Sequence, residues 1–292
     1  MLRLLHYTDT HTNTTAPGLV KSLMDAGIAD VCVHTGDGVH LQFEDDFTSN
    51  PGHWPYVIGN HDSAKGMDWT KNASEAELIQ KYQLLQNPVD YDPGHTWWTK
   101  NVRGVLLVGL NVCKTPGTYD REVKWLTDVL DSATKTKTPV IILSHIMDGK
   151  RDTTIIKCSF TNHYYLSLNE IGYGFTSYYP AIGALESVVL AAKAKGCDII
   201  CQLHGHEHSD AVLMSGGILH VICGSCECDH YNDLCRSRDA GVAANLVANL
   251  YEIDPSKHTL SIRRMGATMA SGWPRKRIDF DYTNAKILTD WR

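Results

Sequence analysis

The sequence lacks an excess of positive charge. Its 292 residues include 27 Lys and Arg against 33 Asp and Glu, which gives a formal net charge of -6 at pH 7. General binders of nucleic acids or anionic membranes present a basic surface, so we expect neither partner. No apolar run approaches the ~20 residues that a helix needs to span a bilayer. A glycine-rich phosphate loop, a Gly-x-Ser-x-Gly elbow and a nucleophilic cysteine motif are also missing, which excludes the chemistries built on them.

The sequence also has no cysteine framework. Its nine cysteines are an odd number. Cys32 and Cys201 lie in apolar segments that we predict as strands, and Cys113 directly follows another. Such usage is typical of reduced thiols in the cytoplasm. From Met1 the chain runs straight into an apolar segment ending at Thr8, which leaves no room for a separate signal sequence. We therefore expect a cytoplasmic protein.

One cysteine cluster leaves three interpretations open. Cys223, Cys226, Cys228 and Cys235, with His230 nearby, could bind structural zinc, form a disulfide or remain free thiols in a loop near the site. The spacing Cys223-x-x-Cys226 fits half of a zinc knuckle, but the single residue between Cys226 and Cys228 does not fit. We favour free thiols.

Apolar strand-like segments alternate with helical patterns over most of the chain. Strands are predicted at 2–8, 29–34, 55–58, 97–102, 104–112, 139–143 and 198–203, helices at 17–26, 74–85, 119–132 and 181–195, and a closing antiparallel set at 212–214, 218–223, 246–253 and 259–264. This is an α/β pattern, in which ligands gather outside the carboxyl ends of the strands. No repeat or composition shift marks a boundary, so we predict one domain over residues 1–292.

Five short segments contain candidate metal ligands, and most of them directly follow a predicted strand. They are Asp9-Thr-His11, Gly36-Asp37, Gly59-Asn-His-Asp62, His145 and Gly205-His-Glu-His208. Carboxylates and imidazoles together suit Mn, Fe or Zn, and a carboxylate can bridge two ions. Asp37 is the natural bridging candidate. Two ions held ~3.5–4 Å apart clamp the attacking and leaving oxygens of a displacement at phosphorus.

The order and form of these segments closely resemble the calcineurin-like metallophosphoesterase superfamily over residues 1–264. The resemblance implies a four-layer α/β/β/α sandwich of two mixed β-sheets flanked by helices. It implies a dinuclear metal centre with Asp9, His11 and His208 at the first ion, Asn60, His145 and His206 at the second, and Asp37 shared. A metal-bridging hydroxide is then the expected nucleophile.

His61 is the one histidine of the five segments that is not assigned as a metal ligand. The resemblance implies that it stabilises the transition state or protonates the leaving oxygen. We predict that Asp62 orients the imidazole of His61 and keeps it protonated, since a nearby carboxylate raises a histidine pKa. Other histidines in or beside apolar strands are interpreted as core groups or as partners of the ligands: His6, His34, His40, His204 and His220.

Departures from family patterns narrow the substrate class. Phosphoprotein phosphatases have an arginine shortly after the Gly-Asp motif, whereas Gly36-Asp37-Gly-Val-His40 contains none. Residues 119–130, ahead of the strand leading to His145, resemble a segment of class III cyclic-nucleotide-phosphodiesterase-like members. We therefore favour a phosphodiesterase acting on a phosphorylated small molecule or diester. The main alternative is a small-molecule phosphomonoesterase of the nucleotidase kind, and a phosphoprotein phosphatase or a non-catalytic scaffold is less favoured.

Residues 146–180 break the alternation of strands and helices. The segment is long and contains Phe160, Tyr164, Tyr165, Tyr173, Phe175, Tyr178 and Tyr179. Long loops within compact domains are usually functional. We predict a cap insertion that encloses the non-phosphate part of the substrate, with Lys150 or Arg151 near the phosphate. The alternative is that the aromatic side chains only pack over the rim of the sheet.

Overall fold

The structure is a computed structural model that describes residues 1–11, 13, 15–38, 54–65, 68–82, 84–114, 119–148, 154–158, 180–208, 210–226, 246–266, 277–284 and 286–289. Within these ranges the strands are β1 (Leu2–Tyr7), β2 (Val31–His34), β3 (Ala64–Lys65), β4 (Asp68–Asn72), β5 (Asp90–Tyr91), β6 (Trp98–Val102), β7 (Val105–Gly109), β8 (Val140–Leu143), β9 (Thr154–Cys158), β10 (Ile199–His204), β11 (Ala211–Ser215), β12 (Ile218–Ile222), β13 (Val247–Asp254), β14 (Thr259–Gly266), β15 (Arg277–Asp281) and β16 (Lys286–Thr289). The helices are α1 (Ala16–Asp25), α2 (Asn60–Ser63), α3 (Glu75–Lys81), α4 (Asp120–Thr136) and α5 (Ala181–Ala194).

Two mixed sheets contain most of these strands. One has six strands in the order β16-β15-β14-β13-β1-β2, and the other has eight in the order β5-β6-β7-β8-β10-β12-β11-β9. Strands β1 and β2 are parallel, as are β7, β8, β10 and β12, while the remaining pairs of these two sheets are antiparallel. The short strands β3 and β4 form a separate hairpin.

The central strands are buried on both faces, which explains why they are apolar without alternation. Leu4 of β1 and Leu107 of β7 belong to one core cluster between the two sheets. Leu5 of β1 packs outward against Val20 of α1. Val108 of β7 packs outward in the cluster formed with α4 and α5. The result is helix, sheet, sheet and helix, so the predicted four-layer α/β/β/α sandwich is confirmed.

Local sequence signals account for the helix boundaries. Ser74 caps α3 with a capping box, in which Glu77 N donates to Ser74 Oγ and Ser74 N donates to Glu77 Oε2. The acidic residues Asp120 and Glu122 lie in the first turn of α4, where they favour a helix start. None of the helices in the described ranges is long and apolar enough to cross a membrane.

Several predicted elements differ in the structure. Residues 55–58 make only an isolated bridge between His34 and Tyr56 instead of a strand. The predicted closing set does not stay together: β11 and β12 belong to the eight-stranded sheet, while β13 and β14 belong to the six-stranded one. β9 lies within the segment that broke the predicted pattern, and it pairs with β11 at the edge of the eight-stranded sheet. The prediction of one domain remains a prediction.

The parallel strands bring the candidate ligands to one end of the sandwich. Asp9 and His11 follow β1, Asp37 follows β2, His145 follows β8, and His206 and His208 follow β10. β1 and β2 belong to one sheet, whereas β8 and β10 belong to the other. The site is therefore built where the carboxyl edges of the two packed sheets meet, as expected for α/β proteins.

Candidate metal centre

Four of the predicted ligands converge on one point, where the second ion is predicted. His145 Nε2 and His206 Nδ1 each lie 2.9 Å from Asn60 Oδ1. His145 Nε2 also lies 3.1 Å from Asp37 Oδ2. These donors come from four loops that are distant in sequence, and all aim their ligand atoms into the same small volume. That arrangement fits a cation better than it fits the mutual hydrogen bonds of neutral imidazoles.

The remaining predicted ligands form a neighbouring group. His11 Nε2 lies 3.0 Å from His208 Nε2, and His208 Nε2 lies 3.4 Å from Asp9 Oδ1. Asp9, His11 and His208 could hold one ion, because one ligand atom from each lies within 4.8 Å of the others. Two imidazoles and a carboxylate are a suitable donor set for a transition metal.

Asp37 lies between the two groups. Its Oδ2 is 3.1 Å from His145 Nε2 on one side and 3.9 Å from His11 Nε2 on the other. Its Oδ1 accepts a hydrogen bond of 2.9 Å from the backbone N–H of His61. A carboxylate placed in this way can contact two ions at once, which is the position that the sequence predicts for the bridging ligand.

The ligand loops have a strained backbone. Five candidate ligands lie in the left-handed region, with φ of 49° at Asp9, 40° at His11, 53° at Asp37, 68° at His206 and 51° at His208. Non-glycine residues adopt this conformation uncommonly, at a cost of about 1–3 kcal/mol each when the surroundings force it. His206 and His208 belong to different groups, and their left-handed backbone conformations direct the two side chains there.

Two motif glycines allow the loops to approach each other this closely. A Cβ added at Gly59 would lie 2.1 Å from Asp37 Oδ1, and one at Gly205 would lie 2.5 Å from Asp9 Oδ2. Any side chain at these positions would occupy the space that the ligand carboxylates now fill. The glycines of the Gly-Asn-His-Asp and Gly-His-Glu-His segments are therefore part of the site.

The two buried carboxylates strongly perturb the titration of the site. Burial alone would raise the pKa of Asp37, but the charges of His145 and His61 hold it well below its usual range. The pKa of Asp9 is likewise held low, mainly by the hydrogen bond and charge of His208 acting against burial. Burial would lower the pKa of His145, yet Asp37 raises it to about 9. Ionised carboxylates at the bottom of the site are a natural counter-charge for bound cations.

Most other histidines around the site are held neutral. Burial lowers the pKa of His11 and His206 to about 3, and neutral imidazole is the form that binds metals. Burial also lowers the pKa of His6 and His34 to about 3 and moves that of His204 well below its ordinary value. We call this set the five neutral histidines: His6, His11, His34, His204 and His206.

Hydrogen bonds from the surrounding residues orient the ligands. His145 Nδ1 lies 2.7 Å from the carbonyl oxygen of Thr35, which keeps a proton on Nδ1 and leaves Nε2 for a metal. The hydroxyl of Thr8 donates to Asp9 Oδ2 at 2.8 Å. Backbone N–H of His206 donates to the same oxygen at 3.0 Å. The donor types and their support therefore fit divalent metal ions.

His61 lies at the open side of the cluster. Its Nε2 is 3.9 Å from Asp37 Oδ2, its ring centroid is 4.8 Å from that of His11, and 24% of its side chain is exposed. His11, Asp37 and His61 also form a group whose ligand atoms lie within 4.8 Å of one another. His61 is thus beside both the ligands and the solvent. The predicted role in protonating the leaving oxygen stays a prediction.

Asp62 is placed differently from the sequence prediction. Its Oδ2 accepts hydrogen bonds from Asp37 N at 2.9 Å, Gly59 N at 2.8 Å and Tyr56 Oη at 2.9 Å, and its Oδ1 accepts one from Gly38 N at 3.1 Å. Burial, followed by the charge of Asp37, raises the pKa of Asp62. These contacts join the Asp37 and Asn60 loops. The short spacing between His61 and Asp62 suggested an imidazole partner, whereas the backbone donors come from residues that only the fold brings near.

The histidines interpreted as core or supporting groups are buried where the structure describes them. His34 Nδ1 accepts from Gly36 N at 3.1 Å. His204 Nδ1 lies 3.0 Å from Ser144 Oγ, and His204 Nε2 lies 3.1 Å from His220 Nδ1. His6 Nε2 lies 2.8 Å from Thr35 Oγ1. His40 lies outside the described residues, so its interpretation stays a prediction.

Sequence reasoning missed three supporting side chains. Ser225 Oγ donates to the carbonyl oxygen of Asp9 at 2.8 Å. Asp210 is fully buried two residues after His208, and Arg264 forms an ion pair with it. A buried arginine on a strand is rarely seen unless it is paired. The arginine in the apolar segment 259–264 was the available signal.

Two other predictions fall mainly outside the described residues. The aromatic residues of the predicted cap, with Lys150 and Arg151, are not described, so the cap stays a prediction. Cys223 and Cys226 are buried thiols, and Cys226 Sγ donates to Val247 O at 2.8 Å. Cys228, His230 and Cys235 are not described. Zinc and a disulfide at this cluster therefore stay open. A third prediction, the cytoplasmic location, also stays a prediction.

Comparisons with known proteins identify the fold. The sequence matches no family model, and no curated protein is similar to it. A dimetal phosphatase from Danio rerio superposes with a TM-score of 0.53 at 11% identity, over 91% of this chain and 96% of that one. A metallophosphoesterase from Sphaerobacter thermophilus gives a TM-score of 0.34 at 15% identity, over 90% of this chain and 88% of that one. The latter score is too low to carry an argument.

The likeness to the Danio rerio structure covers nearly the whole length of both chains. It agrees with the two packed mixed sheets described above. The four-layer fold that the resemblance implied is therefore confirmed: this chain has the fold of the Danio rerio dimetal phosphatase. At 11% identity the likeness extends to the fold and no further.

Proposed function

We propose that the protein hydrolyses phosphoesters with two bound transition-metal ions, and that phosphodiesters are its preferred substrates. One observation supports this above all. Asp37 Oδ2 lies between His145 Nε2 at 3.1 Å and His11 Nε2 at 3.9 Å, with the other candidate ligands grouped on either side. A shared carboxylate between two donor groups is what a two-metal hydrolase needs.

The residues of the chain have distinct tasks in this proposal. When bound, the two ions would supply Lewis-acid activation of the phosphoryl group and of the attacking water. Asp37 would be the ligand shared by the two ions, since its Oδ2 lies between His145 Nε2 and His11 Nε2. His61, at the open side, donates a proton to the oxygen of the leaving group, which is worth on the order of 10²–10⁴ in rate. Asp62 fixes the Asp37 loop, so that the shared carboxylate keeps its position.

The charge of the site favours a diester over a monoester. The ion pairs of Asp9 and Asp37 described above are all made with histidines. A monoester dianion calls for additional fixed cations such as the arginine of phosphoprotein phosphatases, and the segment after Asp37 contains none. A diester carries one negative charge. It requires less neutralisation than a monoester, and the resemblance of residues 119–130 points the same way.

The experiment combines metal analysis with a substrate panel. Purified protein is loaded with Mn²⁺ and assayed on bis-p-nitrophenyl phosphate, p-nitrophenyl phosphate, and cyclic and linear nucleotides. We expect about two ions per chain and faster hydrolysis of diesters. Asp37→Asn should lose both metal and activity. Asp120→Asn, at an exposed position at the start of α4, is the matched control and should keep both.

Each outcome has a clear meaning. Faster turnover of monoesters would retain the hydrolase but reject the diester preference. Retention of two ions without hydrolysis of any member of the panel would favour a binding scaffold. A wild-type protein that takes up no ion under metal excess would reject the two-metal proposal itself.

A further inference from the structure

A buried ion pair lies near the first group of candidate ligands, which consists of Asp9, His11 and His208. Arg264 is on β14 of the six-stranded sheet, and Asp210 immediately precedes β11 of the eight-stranded sheet. Both side chains are fully shielded from solvent, and Arg264 Nη2 pairs with Asp210 Oδ1. Asp210 is only two residues beyond His208. The pair therefore joins the two sheets at the base of the loop that carries a candidate ligand.

The same pair reaches the first group from the opposite side through the 223–226 loop. Asp210 Oδ1 accepts from Gly224 N at 2.8 Å, and Arg264 Nη1 lies 3.9 Å from Cys223 Sγ. Next in this loop, Ser225 Oγ donates to the carbonyl oxygen of Asp9 at 2.8 Å. Backbone N–H of Cys226 donates to Thr8 O at 3.0 Å, so the loop is bonded to the Asp9 segment twice.

These contacts converge on Asp9 and His208, both of the first group. Asp9 and His208 adopt left-handed backbone conformations, with φ of 49° and 51°. Such conformations persist only where the surrounding structure holds them. The carboxylate of Asp210 holds the chain after His208 and, through Gly224 and Ser225, the carbonyl of Asp9. The guanidinium of Arg264 fixes that carboxylate, because an unpaired charge at this depth is strongly unfavourable.

We propose that Arg264 is a positioning residue for the first metal site, acting through Asp210 on His208 and through the 223–226 loop on Asp9. The inference rests on the proposed two-metal function, and it adds a residue that lies outside the ligand motifs. Loss of Arg264 should therefore weaken metal binding at the first site more than at the second. Two of the four ligands of the second group, Asn60 and His145, are held by other contacts, namely those of Asp62 with Gly59 and of Thr35 with His145.

The test measures Mn²⁺ affinity at one site at a time. A His145→Ala background keeps the first group complete, and a His11→Ala background keeps the second. In each background Arg264→Met is introduced, and the Mn²⁺ dissociation constant is measured by competition with a fluorescent chelator. We expect a rise of at least about tenfold in the His145→Ala background, as found for residues that orient metal ligands. In the His11→Ala background the change should stay below about threefold, since that group has separate support.

Further variants keep the test decisive. Asp210→Asn combined with Arg264→Met removes both charges but retains an acceptor for Gly224, so it folds even if the single Arg264→Met leaves Asp210 too costly to bury. Arg264→Lys should recover part of the affinity, because it restores the charge. Arg277→Met is the matched control, since Arg277 is an exposed arginine of the same sheet, paired with Glu252 at 2.6 Å.

The asymmetric loss of affinity supports the proposal. Equal loss in both backgrounds would show that the pair only holds the sheets together, and unchanged affinity in both would show that it does not act on the site. Either result overturns the inference while leaving the two-metal function intact. Absence of Mn²⁺ binding by the wild-type protein would overturn both.

Discussion

Substitution of Gly59 by alanine tests the central geometry of the site. The new Cβ would lie 2.1 Å from Asp37 Oδ1 and 2.4 Å from Asp37 N, whereas ordinary van der Waals contact begins at 3.4 Å. The two groups would have to separate by 3.4 − 2.1 = 1.3 Å and 3.4 − 2.4 = 1.0 Å. The carboxylate can rotate, but the backbone nitrogen cannot move without breaking its 2.9 Å hydrogen bond to Asp62.

The expected magnitude follows from that displacement. Overpacking of a buried position costs about 1–3 kcal/mol. At about 1.4 kcal/mol per tenfold change, Mn²⁺ affinity should fall between roughly fivefold and roughly 150-fold. Both ions should be affected, because Asp37 is shared between the two groups. The metal-free protein should lose less free energy of unfolding than this, because it can relieve the clash by moving Asp37, whereas metal binding needs the Asp37 carboxylate in place.

The assay is chelator competition for affinity and urea unfolding of the metal-free protein for stability. Gly183→Ala is the matched control. Gly183 lies within α5 with nothing within 4 Å of the added Cβ, so alanine should leave affinity unchanged and add up to ~1 kcal/mol of helix stability. Wild-type affinity for both ions in Gly59→Ala would refute the close approach of the two loops and the role of Asp37 as the shared ligand.

Three further predictions concern the acid, the pH and the cap. His61→Ala should retain metal but lower turnover of a diester with a poor leaving group by at least about 10²-fold. Asp37→Ala should lose both metal and turnover. Near-normal turnover in His61→Ala would contradict the proton-donor role. The metal-free protein should be most stable near neutral pH, because the five neutral histidines have lowered folded-state pKa values. Their contribution to the free energy of unfolding is fully present above the unfolded pKa of about 6.5. It is lost as pH falls below that value, by about 1.4 kcal/mol each at pH 5.5. His145, with its pKa raised to about 9, has the opposite effect, stabilising below 6.5 and ceasing to do so as pH rises through 9; a urea midpoint that stays constant from pH 7 to pH 5 would contradict this balance. Replacing 159–176 with a Gly/Ser linker leaves β9 in place, so it should keep metal content and activity on bis-p-nitrophenyl phosphate but lower kcat/KM for the best natural diester by on the order of 10²-fold. Equal losses on both substrates would make the segment structural.

The local sequence pattern was sufficient to predict many of the elements. Buried strands such as Leu2–Tyr7 and Val140–Leu143 are continuous apolar runs, and helices such as Asp120–Thr136 have one apolar face. Both signals are short-range, so they can be read from a few neighbouring residues. The layered fold was implied by the family that the five motif segments resemble, and that resemblance is specific because the segments must match in one order. The same resemblance implied which candidate ligands lie together.

The tertiary structure decided what depends on contacts between distant residues. The sequence predicted β11 to β14 as one antiparallel set, but β11 and β12 belong to the eight-stranded sheet and β13 and β14 to the six-stranded one. The sequence does not show this division, since any of these apolar strands can pair with several others. Asp62 is directed at backbone N–H groups rather than at its neighbour His61, because the loops of Asp37 and Gly59 meet only when the sheets pack. Arg264 and Asp210 are 54 residues apart and belong to different sheets. Local propensity depends only on neighbouring residues, so it does not predict such pairs. The pair forms because the two sheets bury both charges together.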